Sequence, residues 1–159
     1  MLQLTVITMG NLKESYWRDA VAEYEKRLSA FCKPNIIQFK ETKLPDDPAE
    51  SEITAALADE GKRILAAIPP RAYRIALCVE GKQFSSEELA QKIESACTES
   101  SSLCLIIGSS YGLSPEVKAA CDLKLSVSKL TFPHQMMRVL LLEVLYRSFS
   151  ILRGSKYHK

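Results

Sequence analysis

Residues 102–116 read SLCLIIGSSYGLSPE, and this stretch decides the fold class. Its first six residues are almost continuously apolar and end at Gly108. A run that short and that uniform suits a strand buried on both faces, as in a parallel sheet. Gly108 and Gly112 allow a backbone to approach a ligand closely at the end of such a strand. Ser114-Pro115-Glu116 then opens a short helix, with Ser as N-cap and Pro at the first helical position. The glycine turn is neither a Walker loop nor GxGxxG, so alone it reads equally well as a plain strand-to-helix connection.

The same grammar extends in both directions. Residues 73–79 (YRIALCV) predict a second strand buried on both faces, and Pro69-Pro70 stops the helix before it. That helix carries Ile53, Leu57, Ile64 and Ile68 on one face, with Asp47 or Ser51 as its cap. Residues 2–8 and 36–39 predict strands, and residues 14–31 a helix striped by Trp17, Val21, Tyr24, Leu28 and Phe31. Ser85-Ser86-Glu87-Glu88 starts a helix to about residue 97. Residues 123–127 form a last short strand, and residues 133–153 a long apolar helix. Strands alternating with helices predict an α/β fold with a mostly parallel sheet. With no linker, repeat or low-complexity segment, residues 1–159 are expected to form one domain.

The chain has 159 residues, 47% of them hydrophobic and 25% charged, which excludes disorder and a disulfide scaffold. Cys32, Cys78, Cys97, Cys104 and Cys121 show no CxxC spacing; they read as reduced packing residues, and two histidines are too few for a zinc cluster. No signal peptide is visible at the start, and Arg138, Glu143 and Arg147 interrupt the most apolar stretch, 136–152. A cytoplasmic protein without metal or membrane is expected. The charge is divided: residues 1–122 carry 14 Lys/Arg against 18 Asp/Glu, and residues 123–159 carry seven against Glu143 alone. A basic C-terminal quarter on an acidic body points to an anionic partner, or else to a solvated helix face and tail.

Three further segments carry candidate chemistry. Residues 126–135 (SVSKLTFPHQ) offer free backbone groups that could meet an adenine edge, with Leu130 and Phe132 as apolar walls. His134 is read as an ordinary helix-start residue satisfied by nearby backbone rather than as a general base. The last helix is apolar around most of its circumference, through Met136, Met137, Val139, Leu140, Leu141, Leu142, Val144, Leu145 and Phe149. In so short a chain this predicts a face covered by a second subunit, against the alternative of a central core helix. Arg153, Tyr157 and His158 bring a phosphate ligand, an aromatic face and an imidazole together near Lys159, as RNA recognition requires; a frayed end is the competing reading.

Taken in order, Gly108-x-x-x-Gly112-Leu113-Ser114, the run LSVSKLTFPHQ, Arg138-Val-Leu-Leu-Leu-Glu143-x-x-Tyr146-Arg147 and the terminal Tyr157-His158-Lys159 resemble the RlmH family. These are ribosomal large-subunit pseudouridine N3-methyltransferases of the SPOUT class. The resemblance implies a SPOUT-type sheet flanked by helices with a C-terminal trefoil knot, and a homodimer with cofactor sites beside its interface. It implies S-adenosylmethionine as methyl donor and N3 of a pseudouridine in 23S rRNA of the assembled ribosome as acceptor. By the same resemblance the cofactor pocket falls on Leu77, Gly108, Val127, Ser128, Lys129, Leu130, Thr131 and Phe132. Arg153, Tyr157 and His158 match the positions that lie over the donor's methyl group, contributed by the other subunit, with His158 as proton acceptor. The resemblance departs at one point: the family usually has Gly-Gly where this chain has Gly108-Ser109, and a side chain as small as serine is expected to be tolerated in the pocket.

Two other readings compete. A non-catalytic ribosome-associated RNA-binding module on this fold would keep the basic tail but not bind the donor. A nucleotide-binding enzyme on an ordinary open sheet would need neither the tail nor the all-round apolar helix.

Overall fold

The computed structural model describes residues 1–158. Five strands, β1 (Leu2–Met9), β2 (Cys32–Phe39), β3 (Tyr73–Lys82), β4 (Ser102–Ile107) and β5 (Leu123–Leu125), alternate with helices. The helices are α1 (Ser15–Leu28), α2 (Glu50–Ala67), α3 (Ser86–Glu99), α4 (Pro115–Ala119) and α5 (His134–Leu152). The sheet order is β2-β1-β4-β3-β5, and every neighbouring pair is parallel.

Side chains along a strand alternate between faces, and here each face has its own core. Leu103, Leu105 and Ile107 join Leu4, Val6 and Ile75 under α1, α3 and α5, which supply Leu28, Ile93, Leu141 and Leu145. Cys104 and Ile106 join Ile7, Met9 and Ala76 on the other face, closed by Ile64 of α2 and Val117 of α4. The molecule is therefore three layers thick, with β4 buried on both faces as its sequence predicts. Cys104 is wholly buried, and burial pushes its thiol up to about 12.

Several boundaries differ from expectation for local reasons. β2 begins at Cys32, four residues before the predicted start, because Pro34 is tolerated on a strand paired only with β1. Neither Asp47 nor Ser51 caps α2. Ala49 occupies the N-cap, and Glu52 accepts its N–H at 3.1 Å from the first turn, where an acid also suits the helix dipole. By contrast Ser85 and Glu88 cap α3 reciprocally, at 3.1 and 2.8 Å.

β3 is not buried along its length. β4 pairs with it only over Tyr73 to Leu77, beyond which the pairing with β5 becomes irregular and Val79 is 65% exposed. Cys78 is accordingly half-buried rather than a core residue.

Helix α5 packs against α1 and α3 through Leu141, Leu142, Leu145 and Phe149. It is not buried all round within the chain: Met136, Val139, Leu140 and Val144 remain partly exposed. Arg138 is 2% exposed, donating to Gln38 Oε1 at 2.7 Å and the Gly10 carbonyl at 3.0 Å, so this cation is part of the interior.

Candidate active site

Where β3 outruns β4, a cavity of about 500 Å³ opens off the carboxyl ends of the two strands. This is the place at which parallel sheets bind ligands, and the volume suits a small molecule. Its first wall is the end of β3, from Leu77 to Glu80. The second is the glycine loop after β4. A Cβ on Gly108 would lie 2.2 Å from the Gly112 carbonyl oxygen, so strand end and returning loop touch backbone to backbone. Gly112, at φ +90°, donates its N–H to Ser109 O at 2.8 Å and closes the loop.

The third wall is the segment between β5 and α5. Ser126 N–H donates to Lys82 O at 3.0 Å, which ties the start of the segment to β3. Ser126 Oγ donates to Ser128 O at 3.1 Å, and Ser128 Oγ accepts the Leu130 N–H at 3.0 Å. The loop's own hydroxyls thus take up some of the backbone groups that sequence reading left free.

Leu77, Gly108, Val127, Ser128, Leu130, Thr131 and Phe132 all line this one cavity, brought together from three parts of the chain. Lys129 does not line it and is exposed. His134 lines it too, but its partner is not backbone: Nε2 stands 3.7 Å from Glu41 Oε1. Ser109 lines the cavity, and its hydroxyl donates to Glu60 Oε1 of α2 at 2.9 Å. Tyr111, Leu113, Met137, Cys78 and the Lys118–Glu80 ion pair complete the lining. Nothing in the sequence signals that pair, whose members lie 38 residues apart.

The structure does not bring Arg153, Tyr157 and His158 to the cavity of the same chain. The tail folds back on α5. Tyr157 Oη donates to Glu143 Oε2 at 2.8 Å, Tyr24 Oη donates to the same oxygen at 2.7 Å, and Arg147 donates to Oε1 at 2.7 and 3.0 Å. Burial works to raise the Glu143 carboxyl, but these hydrogen bonds outweigh it and hold the group below its ordinary value. The Glu143 hydrogen bond in turn raises the Tyr157 hydroxyl. The Tyr157 ring meets Tyr146 edge-on at 4.8 Å, beneath the Arg147 guanidinium at 4.8 Å. His158 sits between Arg147, at 3.2 Å, and Glu87, at 2.8 Å, and Arg153 lies over the Phe31 ring at 5.5 Å. Lys159 lies outside the described residues. A hollow of about 150 Å³ lined by Arg147 and Ser148 shares Ser126 and Val127 with the main cavity. The tail's docking ground therefore abuts the far side of the cavity loop.

Among the described residues no group of three His, Cys, Asp or Glu is placed to hold a metal ion, and no helix is long and apolar enough to cross a membrane.

A family model described as "Predicted SPOUT methyltransferase" matches residues 2–158. The chain belongs to the SPOUT methyltransferase family. It is 48% identical, over 159 residues, to proteins named "Ribosomal RNA large subunit methyltransferase H" from Streptococcus thermophilus strains LMD-9 and CNRZ 1066. Each match spans 99% of this chain and 100% of the relative. A solved structure described as that of a probable methylase family protein from Haemophilus influenzae Rd KW20 is similar in fold. It matches with a TM-score of 0.56 at 14% identity, covering 100% of this chain and 72% of that one. The sequence expectations of a parallel α/β sheet and of a methyltransferase both hold.

Proposed function

We propose that this chain, as one SPOUT methyltransferase domain, transfers a methyl group from S-adenosylmethionine to N3 of a pseudouridine in 23S rRNA of the assembled ribosome. The observation that carries the reading is the cavity lined by Leu77, Gly108, Val127, Ser128, Leu130, Thr131 and Phe132, in a chain 48% identical over nearly its whole length to proteins named for rRNA methylation. Its apolar walls, Leu77, Leu113, Leu130, Phe132 and Met137, suit a flat adenine ring, and the Gly108 cradle excludes any side chain from the strand end. The serines and backbone of the third wall suit the ring's polar edge.

S-adenosylmethionine supplies a methyl group already activated on a sulfonium. What remains for the protein is to hold donor and acceptor in line and to accept the N3 proton of the imide. His158 is proposed as that acceptor, Tyr157 as the group that orients the base, and Arg153 as a phosphate contact. Since these residues rest on α5 of their own chain, the reading requires a homodimer in which the tail of one subunit reaches the cavity of its partner. The partly exposed Met136, Leu140 and Val144 on α5 support such an interface. A C-terminal trefoil knot, with α5 threaded through a loop, belongs to the same proposal. The reading also assigns the protein to the cytoplasm, where ribosomes are.

Calorimetric titration of S-adenosylmethionine, with molar mass measured on the same sample, tests the reading. Saturable binding to a dimer and methyl transfer to ribosomes support it. A folded dimer that binds no donor would favour the non-catalytic ribosome-binding module.

A further inference from the structure

We propose that Glu60 is a positioning residue for methyl transfer, acting through Ser109 on the glycine loop that walls the donor cavity. The inference rests on the reading of that cavity as the donor site. Glu60 lies on α2 and is 3% exposed. Its two oxygens are used separately: Oε1 accepts from Ser109 Oγ at 2.9 Å, and Oε2 accepts the Thr42 N–H at 3.0 Å. Among the described residues no ion pair joins Glu60 to a cation. Arg63, one turn away, donates instead to Asp59, Thr42 Oγ1 and the Lys40 carbonyl. A buried carboxylate held only by neutral donors depends heavily on each of them.

Those two donors come from segments with no other reason to move together, the chain after β2 and the loop after β4. Glu60, Thr42 and Ser109 face a separate hollow of about 280 Å³. Ser109, Ser110 and Tyr111 line both this hollow and the donor cavity, so they form the partition between the two. Glu60 grips the partition from behind. On the donor side the partition carries Gly108 and Gly112, which have no side chains to anchor it. Without the Ser109–Glu60 bond the closed loop loses its tie to α2, and we expect it to shift toward the hollow and widen the donor site. The hydroxyl of Ser109 is what makes this grip available.

The test is calorimetric titration of S-adenosylmethionine into the full-length protein and its Ser109→Ala, Glu60→Ala, Glu60→Gln and Ser109→Ala/Glu60→Ala variants, with melting temperature and initial rates on the same samples. Ser109→Ala is expected to raise the donor Kd about tenfold, with a parallel rise in donor KM and no change in KM for the ribosomal acceptor. The double variant should bind no more weakly than Glu60→Ala alone, because both changes cut one connection. Glu60→Gln can accept from Thr42 and donate to Ser109 Oγ, so it should bind within about twofold of the parent. A donor Kd unmoved by Ser109→Ala, effects that multiply in the double variant, or a Glu60→Gln as weak as Ser109→Ala would each overturn the proposal. Should Glu60→Ala not fold, Ser109→Ala and Glu60→Gln decide the matter. Absence of donor binding by the parent protein would overturn the donor-site reading itself, a result distinct from any difference among variants.

Discussion

Gly108→Ala is the sharpest single test of the cavity's construction. The new Cβ would sit 2.2 Å from Gly112 O, 2.5 Å from Gly112 C and 3.0 Å from Leu113 Cδ2. To restore even a tight contact the Gly112 carbonyl must retreat by roughly 0.8 Å, and backbone cannot rotate aside as a side chain can. That retreat strains the Gly112 N–H to Ser109 O bond of 2.8 Å and presses on Leu113, which is 4% exposed. Overpacking of this kind costs about 1–3 kcal/mol, and a weakened backbone hydrogen bond about 1 kcal/mol more. Removing a glycine from the unfolded chain returns about 0.4–1 kcal/mol. The net expectation is a loss of about 1–3.6 kcal/mol in urea unfolding, with donor binding lost or nearly so by calorimetry. A variant of parental stability that still titrates with S-adenosylmethionine would refute both the close approach and the role given to it.

Other outcomes follow from the remaining contacts. The Glu143 carboxyl is held below its ordinary 4.5 and the Tyr157 hydroxyl above its ordinary 10.0. Tail docking from Glu143 is therefore fully present above the first value and lost as pH falls below it, while that from Tyr157 is present below the second and lost as pH rises past it. Limited proteolysis should find the tail protected at neutral pH and released first on the acid side; a tail equally sensitive at both would contradict the contacts. Arg138→Met strands the Gly10 carbonyl and Gln38 but relieves a buried cation, for a net loss of about 1–3 kcal/mol by urea midpoint; a gain would mean desolvation dominates. Ser85→Ala removes half of a reciprocal cap and should cost about 1 kcal/mol in thermal unfolding. Burial raises the Cys104 thiol, so it should resist a thiol reagent until the protein unfolds, with half-buried Cys78 labelled earlier by mass spectrometry.

The parts of the fold legible in sequence are those where a local pattern and the tertiary environment agree. Residues 102–107 are apolar at every position that must be buried, and Ser114-Pro115 carries its own cap, so strand, turn and helix are read directly. The first half of β2, Cys32 to Asn35, carries a proline and two polar residues, and only its pairing with β1 at the sheet edge makes it strand. α2 hides its start because the cap is a carboxylate reaching backwards from Glu52 rather than a hydroxyl at the boundary. In the site, seven of the residues that the resemblance assigns to the pocket line one cavity while Lys129 and the tail do not, and the Ser109–Glu60 bond and the Lys118–Glu80 pair span 49 and 38 residues and have no periodic trace. His134 opens α5 as its position predicts, but its approach to Glu41 at 3.7 Å comes from a distant loop and leaves no local trace. The tail's acidic seat on Glu143 and Glu87 is equally non-local.

Pro34 near the start of β2, and the three-residue length of β5, have a consequence for assembly. These strands are the two borders of the sheet. One border lacks a donor where an incoming strand would need it, and the other is too short to template a partner. Growth by adding strands from another copy is blunted at both sides. Any contact between copies of the chain is left to its other surfaces, the helical faces among them.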